Sequence, residues 1–323
     1  MTLRLLVLEM TSIAAKPDIS ATISVPTADS VCAIVVTYNP DAGFSQRILQ
    51  VMAQFPFVLI VDNGSHDAAK AMLQVIAANE KIKLIANLDN LGIAQALNQG
   101  IEQAMKSGFR WALTLDQDTL VFPDLLDTLL AVYAASGLEK VLIGGNYLNI
   151  NKNRNFVDCG QDDKGFLERK TLITAGTLVP LEASLAMGGF RDDYFIDSVD
   201  HEFCLRARAN GFRVVISCKP VMSQWIGNTI EASAGWSRFA SFNHSAIRKY
   251  FIARNTLVTA RDYFFREPTW AIRQVWRLQS DFASILLFES NKYQKSRAFI
   301  AGILDGLQNK MGPLSDNRIK SWK

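Results

Sequence analysis

Four apolar runs recur between residues 31 and 118, each separated from the next by a stretch with helical spacing. They are VCAIVVTYN (31–39), FVLIVDNGS (57–65), IKLIAN (82–87) and WALTLDQD (111–118), with helices expected over 44–54, 67–79 and 92–106. The first, second and fourth runs are apolar at nearly every position, so such strands must be covered on both faces. Joined by helices, they form a parallel sheet. The predicted fold class is α/β, a mostly parallel central sheet flanked by helices. At 323 residues, 49% hydrophobic and 20% charged, the chain can bury a large core in one domain or two intimate ones.

In sheets of this kind ligands bind beyond the carboxyl ends of the strands. Polar residues collect there: Thr37-Tyr38-Asn39, Asp62-Asn63-Gly64-Ser65 and Asp116-Gln117-Asp118. Each group alone is ordinary turn chemistry; three on one edge point to a site. Asp116 and Asp118 repel each other unless positive charge lies near them. Two hard oxygen donors suit Mg²⁺ or Mn²⁺, which also takes phosphate oxygens; the bland reading is two solvated loop acids. Asp62 could accept an N–H from a base or sugar, with Thr37, Tyr38 and Asn39 lining the same slot. Gly92 opens a helix whose backbone can approach a ligand closely and whose N-terminus favours an anion. A second acidic group, Asp197, Asp200 and Glu202, lies at the start of the helix in VDHEFCLRARANGF. Acids there either answer the helix dipole or supply a general base.

Other features narrow the function class. A net charge of +3 argues against nucleic acid. Neither a Walker lysine pattern nor a G-x-G-x-x-G turn is present. The four cysteines, Cys32, Cys159, Cys204 and Cys218, are far apart, which speaks against a disulfide framework or zinc site and fits a reducing cytosol. No apolar run approaches the ~20 residues that span a bilayer. MTLRLLVLEM is too short for a secretory signal and carries Glu9. Residues 1–30 read as a flexible lead-in, with Met10 an alternative start. Residues 151–170 read as an excursion of loops or short strands, the region after about 230 as helical, aromatic and basic, and the tail from 312 as loose.

VVTYN, VDNGS, NLGIAQALNQG, LDQD and GGF…YFIDSVDHEFCLRARANGF resemble, in this order, the motifs of family 2 glycosyltransferases of the Rossmann-like GT-A fold, over about residues 31–225. LTLDQDT, FIDSVDHEFCLR and RKYFIARN (248–255) resemble the bacterial rhamnosyltransferase subgroup. That resemblance implies an inverting transfer of L-rhamnose from dTDP-β-L-rhamnose to a saccharide acceptor, lipid-linked, in surface-polysaccharide synthesis. It implies a transferase unit over 31–228, with a nucleotide-binding half (31–140) and an acceptor-side half (141–228), and a helical region over 229–323. It gives the nucleotide sugar to Thr37, Tyr38, Asn39, Asp62, Asn63, Gly92, Asp116 and Gln117, the metal to Asp118 with Asp116, and the role of base to Asp200. Asp197, Glu202, Gln224 and Arg254 are further candidates. Many relatives carry a metal-binding histidine where this chain has Gln224, a much weaker ligand, so the metal would depend on Asp116, Asp118 and the diphosphate. His66, His201 and His244 do not fill that place.

A family 2 transferase using another UDP- or dTDP-linked sugar stays open, and so do two other classes. A nucleotidyltransferase also joins acids to an α/β sheet, but it wants a basic glycine-rich loop where TYNPDAGF has no basic residue. A non-catalytic nucleotide-binding protein would keep the acids as structure. In EPTWAIRQVWRLQSDFASILLFE, Ile272, Val275, Trp276, Phe282 and Leu286 share a helix face beside Arg273 and Arg277. Core packing or a homo-oligomer interface is the bland reading of that face. The other is peripheral contact with an anionic membrane at the inner side of the cell.

Overall fold

The computed structural model describes residues 23–160, 164–224, 230–234, 237–241 and 243–322. The lead-in over 1–22 and the alternative start at Met10 lie outside the described residues. The strands of the main sheet are β1 (Val31–Thr37), β2 (Val58–Asp62), β3 (Ile82–Ala86), β4 (Trp111–Asp116), β5 (Leu120–Val121), β6 (Val141–Asn149), β7 (Arg154–Asn155), β8 (Phe166–Glu168), β9 (Thr177–Pro180) and β10 (Arg213–Gln224). The helices between them are α1 (Phe44–Met52), α2 (Asp67–Ile76), α3 (Ile93–Lys106), α4 (Leu125–Ser136), α5 (Leu181–Ala186) and α6 (Val199–Ala209).

The strand order is β3-β2-β1-β4-β9-β6-β10-β5. The four expected strands are mutually parallel, while β9 enters antiparallel between β4 and β6. Cys32, Ile34 and Val36 of β1 pack on one face with Leu97 and Ile101 of α3. Val31, Ala33 and Val35 pack on the other with Phe44, Ile48 and Val51 of α1. That is why β1 is apolar at successive positions. From β1 the chain steps outward through β2 to β3, then returns to place β4 on the other side of β1. This reversal makes the β1–β4 edge a switch point, where the following loops part and leave a crevice.

Beyond the sheet the structure corrects several expectations. A hairpin, β11 (Ile230–Ala234) with β12 (Ser237–Ser241), precedes the helices expected after 230. Then come α7 (Ala246–Asp262), α8 (Pro268–Leu287), α9 (Lys292–Leu307) and a short α10 (Asp316–Lys320). The tail is fastened, not loose: Trp322 is buried against Tyr250, and Arg318 pairs with Asp305 at 2.5 Å. The described part of the lead-in is held as well, since the Trp111 indole donates to the Ser24 carbonyl at 2.7 Å. Cys159 and Cys218 are disulfide-bonded, with Cα atoms 5.6 Å apart. Their 59-residue separation hides a contact that exists only once the excursion folds back on β10. The α8 face also differs from the core reading: Ile272, Val275, Trp276 and Leu286 are exposed, and only Phe282 turns in, onto Phe299. Among the described residues no helix is long and apolar enough to cross a membrane.

Buried charges join α7, α8 and α9. Lys249 contacts Asp281 at 2.5 Å and Glu289 at 2.8 Å, and Lys295 contacts Glu289 at 2.8 Å. The Glu289 side chain is fully buried. Glu289→Gln removes the carboxylate that two buried ammonium groups share. It should lower stability by about 3–5 kcal/mol in a denaturant melt; a change within error would mean that water or other groups carry those charges.

Candidate active site at the strand ends

The sheet register sets Thr37, Asp62 and Asp116 nearly level: Thr37 pairs with Asp62, and Val36 with Asp116. Thr37 and Asp62 are fully buried. The Asp62 carboxylate accepts from the Thr37 hydroxyl at 3.2 Å, the Ser65 amide at 3.2 Å and the Ser65 hydroxyl. Asn39, with a left-handed φ of 50°, accepts the His66 amide on its side chain while its own amide donates to the Ser65 hydroxyl. These bonds knit the two turns into one wall. Tyr38 is the residue that wall presents, 49% exposed. Gln117 braces it from β4, accepting the Tyr38 amide at 2.7 Å and donating to the Tyr38 carbonyl at 3.2 Å.

Asp116 is half-buried and Asp118 is exposed. Burial, together with the charges of Asp118 and Asp200, pushes the Asp116 carboxyl up to about 7, against the opposing effect of Arg248. The two acidic groups of the sequence therefore meet in space: Asp200, in the first turn of α6, acts on a carboxyl at the end of β4. Asp197 contacts Arg248 at 3.2 Å, and its carboxyl is raised, mainly by burial. The local charge is predominantly acidic. Among the described residues no three His, Cys, Asp or Glu side chains are grouped to hold a metal. The donor set thus fits a divalent cation only as a pair of carboxylates completed by oxygens of a bound anion.

The loop that delivers Asp197 and Asp200 is unusual. Phe195, Asp197 and Ser198 all have φ of 60–64°, which costs a side-chain-bearing residue free energy and persists only where surroundings enforce it. The enforcement comes from α7. The Asn255 side chain donates to the carbonyls of Tyr194, Ile196 and Asp197 at 2.7–3.0 Å. Arg254 donates to the carbonyls of Asp193, Tyr194 and Gly312. Phe251 stacks on Phe195.

Residues 32–176 match the family model described as Glycosyl transferase family 2. That stretch carries a family 2 glycosyltransferase domain. The chain is 27% identical over 296 residues to the dTDP-rhamnosyl transferase RfbF of Shigella flexneri, covering 88% of this chain and 97% of that one. Among solved structures it resembles residues 1–349 of S. aureus TarS, with a TM-score of 0.58 at 13% identity over 86% of this chain and 80% of TarS 1–349. It also resembles the mannosyltransferase PcManGT of Pyrobaculum calidifontis, solved with GDP-Man and Mn²⁺. There the TM-score is 0.55 at 16% identity, over 93% of this chain and 90% of PcManGT. At such identities the two structures establish a shared fold, in agreement with the expected GT-A architecture.

Several residues singled out in the transferase sequence take other places than expected. Gly92 is approached by the protein itself: a Cβ there would lie 2.6 Å from the Phe195 carbonyl oxygen, and that oxygen accepts the Ile93 amide. The first free amide of α3 thus orients the loop at 195. Asn63 also serves this turn, accepting the Leu91 amide at 3.0 Å. Glu202 is buried, with Arg206 at 2.8 Å and the Tyr263 hydroxyl at 2.9 Å, so it anchors α6. Arg254 is buried as a loop clamp. Gln224 lies one residue beyond the Ser223–Leu120 pair, and therefore beside the strand that follows Asp118. The arginine in RKYFIARN that reaches the acids is Arg248, six residues before Arg254 and on another side of the helix. Its basic character in that motif was the available signal.

Proposed function

We propose that this glycosyltransferase moves L-rhamnose, with inversion, from dTDP-β-L-rhamnose to a hydroxyl of a saccharide acceptor. What supports the reading is that Asp200, on a separate helix, is near enough for its charge to raise the Asp116 carboxyl at the strand end. The choice of donor follows the dTDP-rhamnosyl transferase relative.

In this reading the wall around Tyr38 holds the nucleoside, with the tyrosine ring beneath the base. Thr37, Asn39, Asp62 and Asn63 fix that wall, and Gln117 and Asp116 border the ribose. Asp118, with Asp116, would hold Mg²⁺ or Mn²⁺, whose charge stabilises the departing diphosphate. Arg248, which contacts Asp197 and whose charge acts on Asp116, can add to that charge. Asp200 takes the proton from the acceptor hydroxyl; the freed oxygen bonds to the anomeric carbon, and the bond to dTDP breaks on the opposite face. Residues 31–140 then serve the donor and 141–228 the acceptor, while 229–323 braces the loop that carries the base. The outward Ile272, Val275 and Trp276 suit the surface of a membrane bearing a lipid-linked acceptor, with a second copy of the chain as the alternative occupant of that face.

Release of dTDP from dTDP-rhamnose in the presence of Mn²⁺, set against a panel of UDP-, GDP- and dTDP-sugars, tests the donor assignment; a preference for a GDP-sugar would overturn it. Competition by free nucleotides tests the base wall separately. dTDP and UDP share a pyrimidine edge and should both outcompete GDP, whereas equal competition by GDP would remove base reading from Tyr38 and Asp62.

A further inference from the structure

A cavity of about 440 Å³ opens beside the base. His201, the residue after Asp200, is in its wall, and the rest comes from β6, Phe156, the segment 168–175, Ile216 of β10 and α8. Its chemistry is uneven. Tyr147 and Phe156 stack at 4.7 Å and, with the largely buried Trp270, give it aromatic faces. Four cationic side chains line it, and they divide into two kinds. Lys170 is committed, 2.7 Å from Glu267 and 2.8 Å from Thr269. The single acid of the lining, Glu168, is likewise taken, by Arg213 and Arg208. Arg169, Arg273 and Arg277 differ: among the described residues their guanidinium groups have no carboxylate and no hydrogen-bond acceptor. Arg169 only overlies the Phe156 ring, at 5.6 Å.

Two polar groups of the lining have no hydrogen-bond partner among the described residues. Gln274 is 6% exposed and lines the cavity, and its side-chain amide has no partner among the described residues. The Nδ1 atom of His201 is buried without a hydrogen bond. Polar groups so placed are costly unless a ligand or water meets them. Arg273 and Arg277 stand one helical turn apart and so act on neighbouring space.

We propose that this cavity receives the acceptor, and that the acceptor is a sugar bearing a phosphate ester. The inference rests on the glycosyltransferase reading for the role of Asp200. Three unpaired guanidinium groups around one space suit a tetrahedral dianion, which offers three oxygens to planar donors, better than a carboxylate with one charge. The sugar ring lies on the aromatic faces, meets Gln274 through its hydroxyls, and extends one of them toward Asp200.

The test is a calorimetric titration of the full chain, preloaded with saturating dTDP and Mn²⁺, with glucose 1-phosphate, glucose and glucuronate. Glucose 1-phosphate should bind at least about tenfold more tightly than either of the others. The double variant Arg273→Gln/Arg277→Gln should lose that advantage. Arg266→Gln, the same loss of charge just outside the cavity, should bind as the unaltered protein does. No binding of glucose 1-phosphate to the dTDP-loaded chain, unchanged binding by the double variant, or equal binding of glucuronate would each overturn the proposal. Failure of the glycosyltransferase reading would be seen elsewhere, as no dTDP uptake in the loading step and no dTDP release from a sugar donor.

Discussion

Asp200→Asn should lower turnover by about 10²–10⁴-fold, the usual worth of a positioned general base, while dTDP affinity stays close to that of the unaltered chain. The substitution is nearly isosteric. The one hydrogen bond the carboxylate makes within its helix, accepting the His201 amide at 2.8 Å, can be kept by the asparagine oxygen. Loss of rate therefore reports on proton acceptance, not on the helix start. If Asp200 were only a first-turn acid, the variant would retain nearly full activity. Two companions sharpen the measurement. Asp197→Asn weakens the contact with Arg248 and should cost less turnover; if it is the inactive one, the base is Asp197. Glu202→Gln disturbs the buried contacts with Arg206 and Tyr263, so it should lower the melting temperature more than the rate per folded molecule.

The second large effect is expected at Asp118. Asp118→Ala should make dTDP affinity the same with and without Mg²⁺ or Mn²⁺, and the fold should survive because the side chain is exposed. Its neighbour cannot substitute, since Asp116 alone offers a single carboxylate. Metal-dependent affinity that persists in Asp118→Ala would mean that the cation is held by other groups, with Gln224 the nearest candidate to examine next. Isothermal titration with and without chelator gives the answer.

The parallel strands and their polar ends were legible because they rest on local pattern. Val31–Thr37 can be apolar throughout only where both faces are covered, and polar residues after such a strand mark its carboxyl end. What the pattern could not show was distance. That Asp200 would meet Asp116 depends on a loop with three left-handed residues, and nothing in FIDSVD announces those torsions. Arg254 stood out in RKYFIARN, yet Arg248 reaches the acids, because helical spacing says which residues share a side and not which side faces the site. The α8 face failed for the same reason: spacing grouped Ile272, Val275 and Trp276 correctly and left open whether they turn inward. Gly92 was expected to admit a ligand, but the close approach it allows is taken by the Phe195 carbonyl. The Cys159–Cys218 bond and the gathering of Arg169, Arg273 and Arg277 around one cavity are likewise products of contacts between distant segments.

The clamp on the 193–197 carbonyls has a consequence for the order in which this enzyme becomes competent. On the ribosome, the main sheet has all its strands once Gln224 has been made. Asn255 and Arg254, which hold the loop carrying the acids, are added afterwards, and the clip is not closed until Gly312 is in place, donating to the Asp193 carbonyl and accepting from Arg254. A nascent chain therefore passes through a stage in which the main sheet is built while the loop carrying Asp197 and Asp200 is still unclamped. On the proposed function, nucleotide recognition should thus precede transfer during synthesis, with closure of the Gly312 contacts as the step that arms the site.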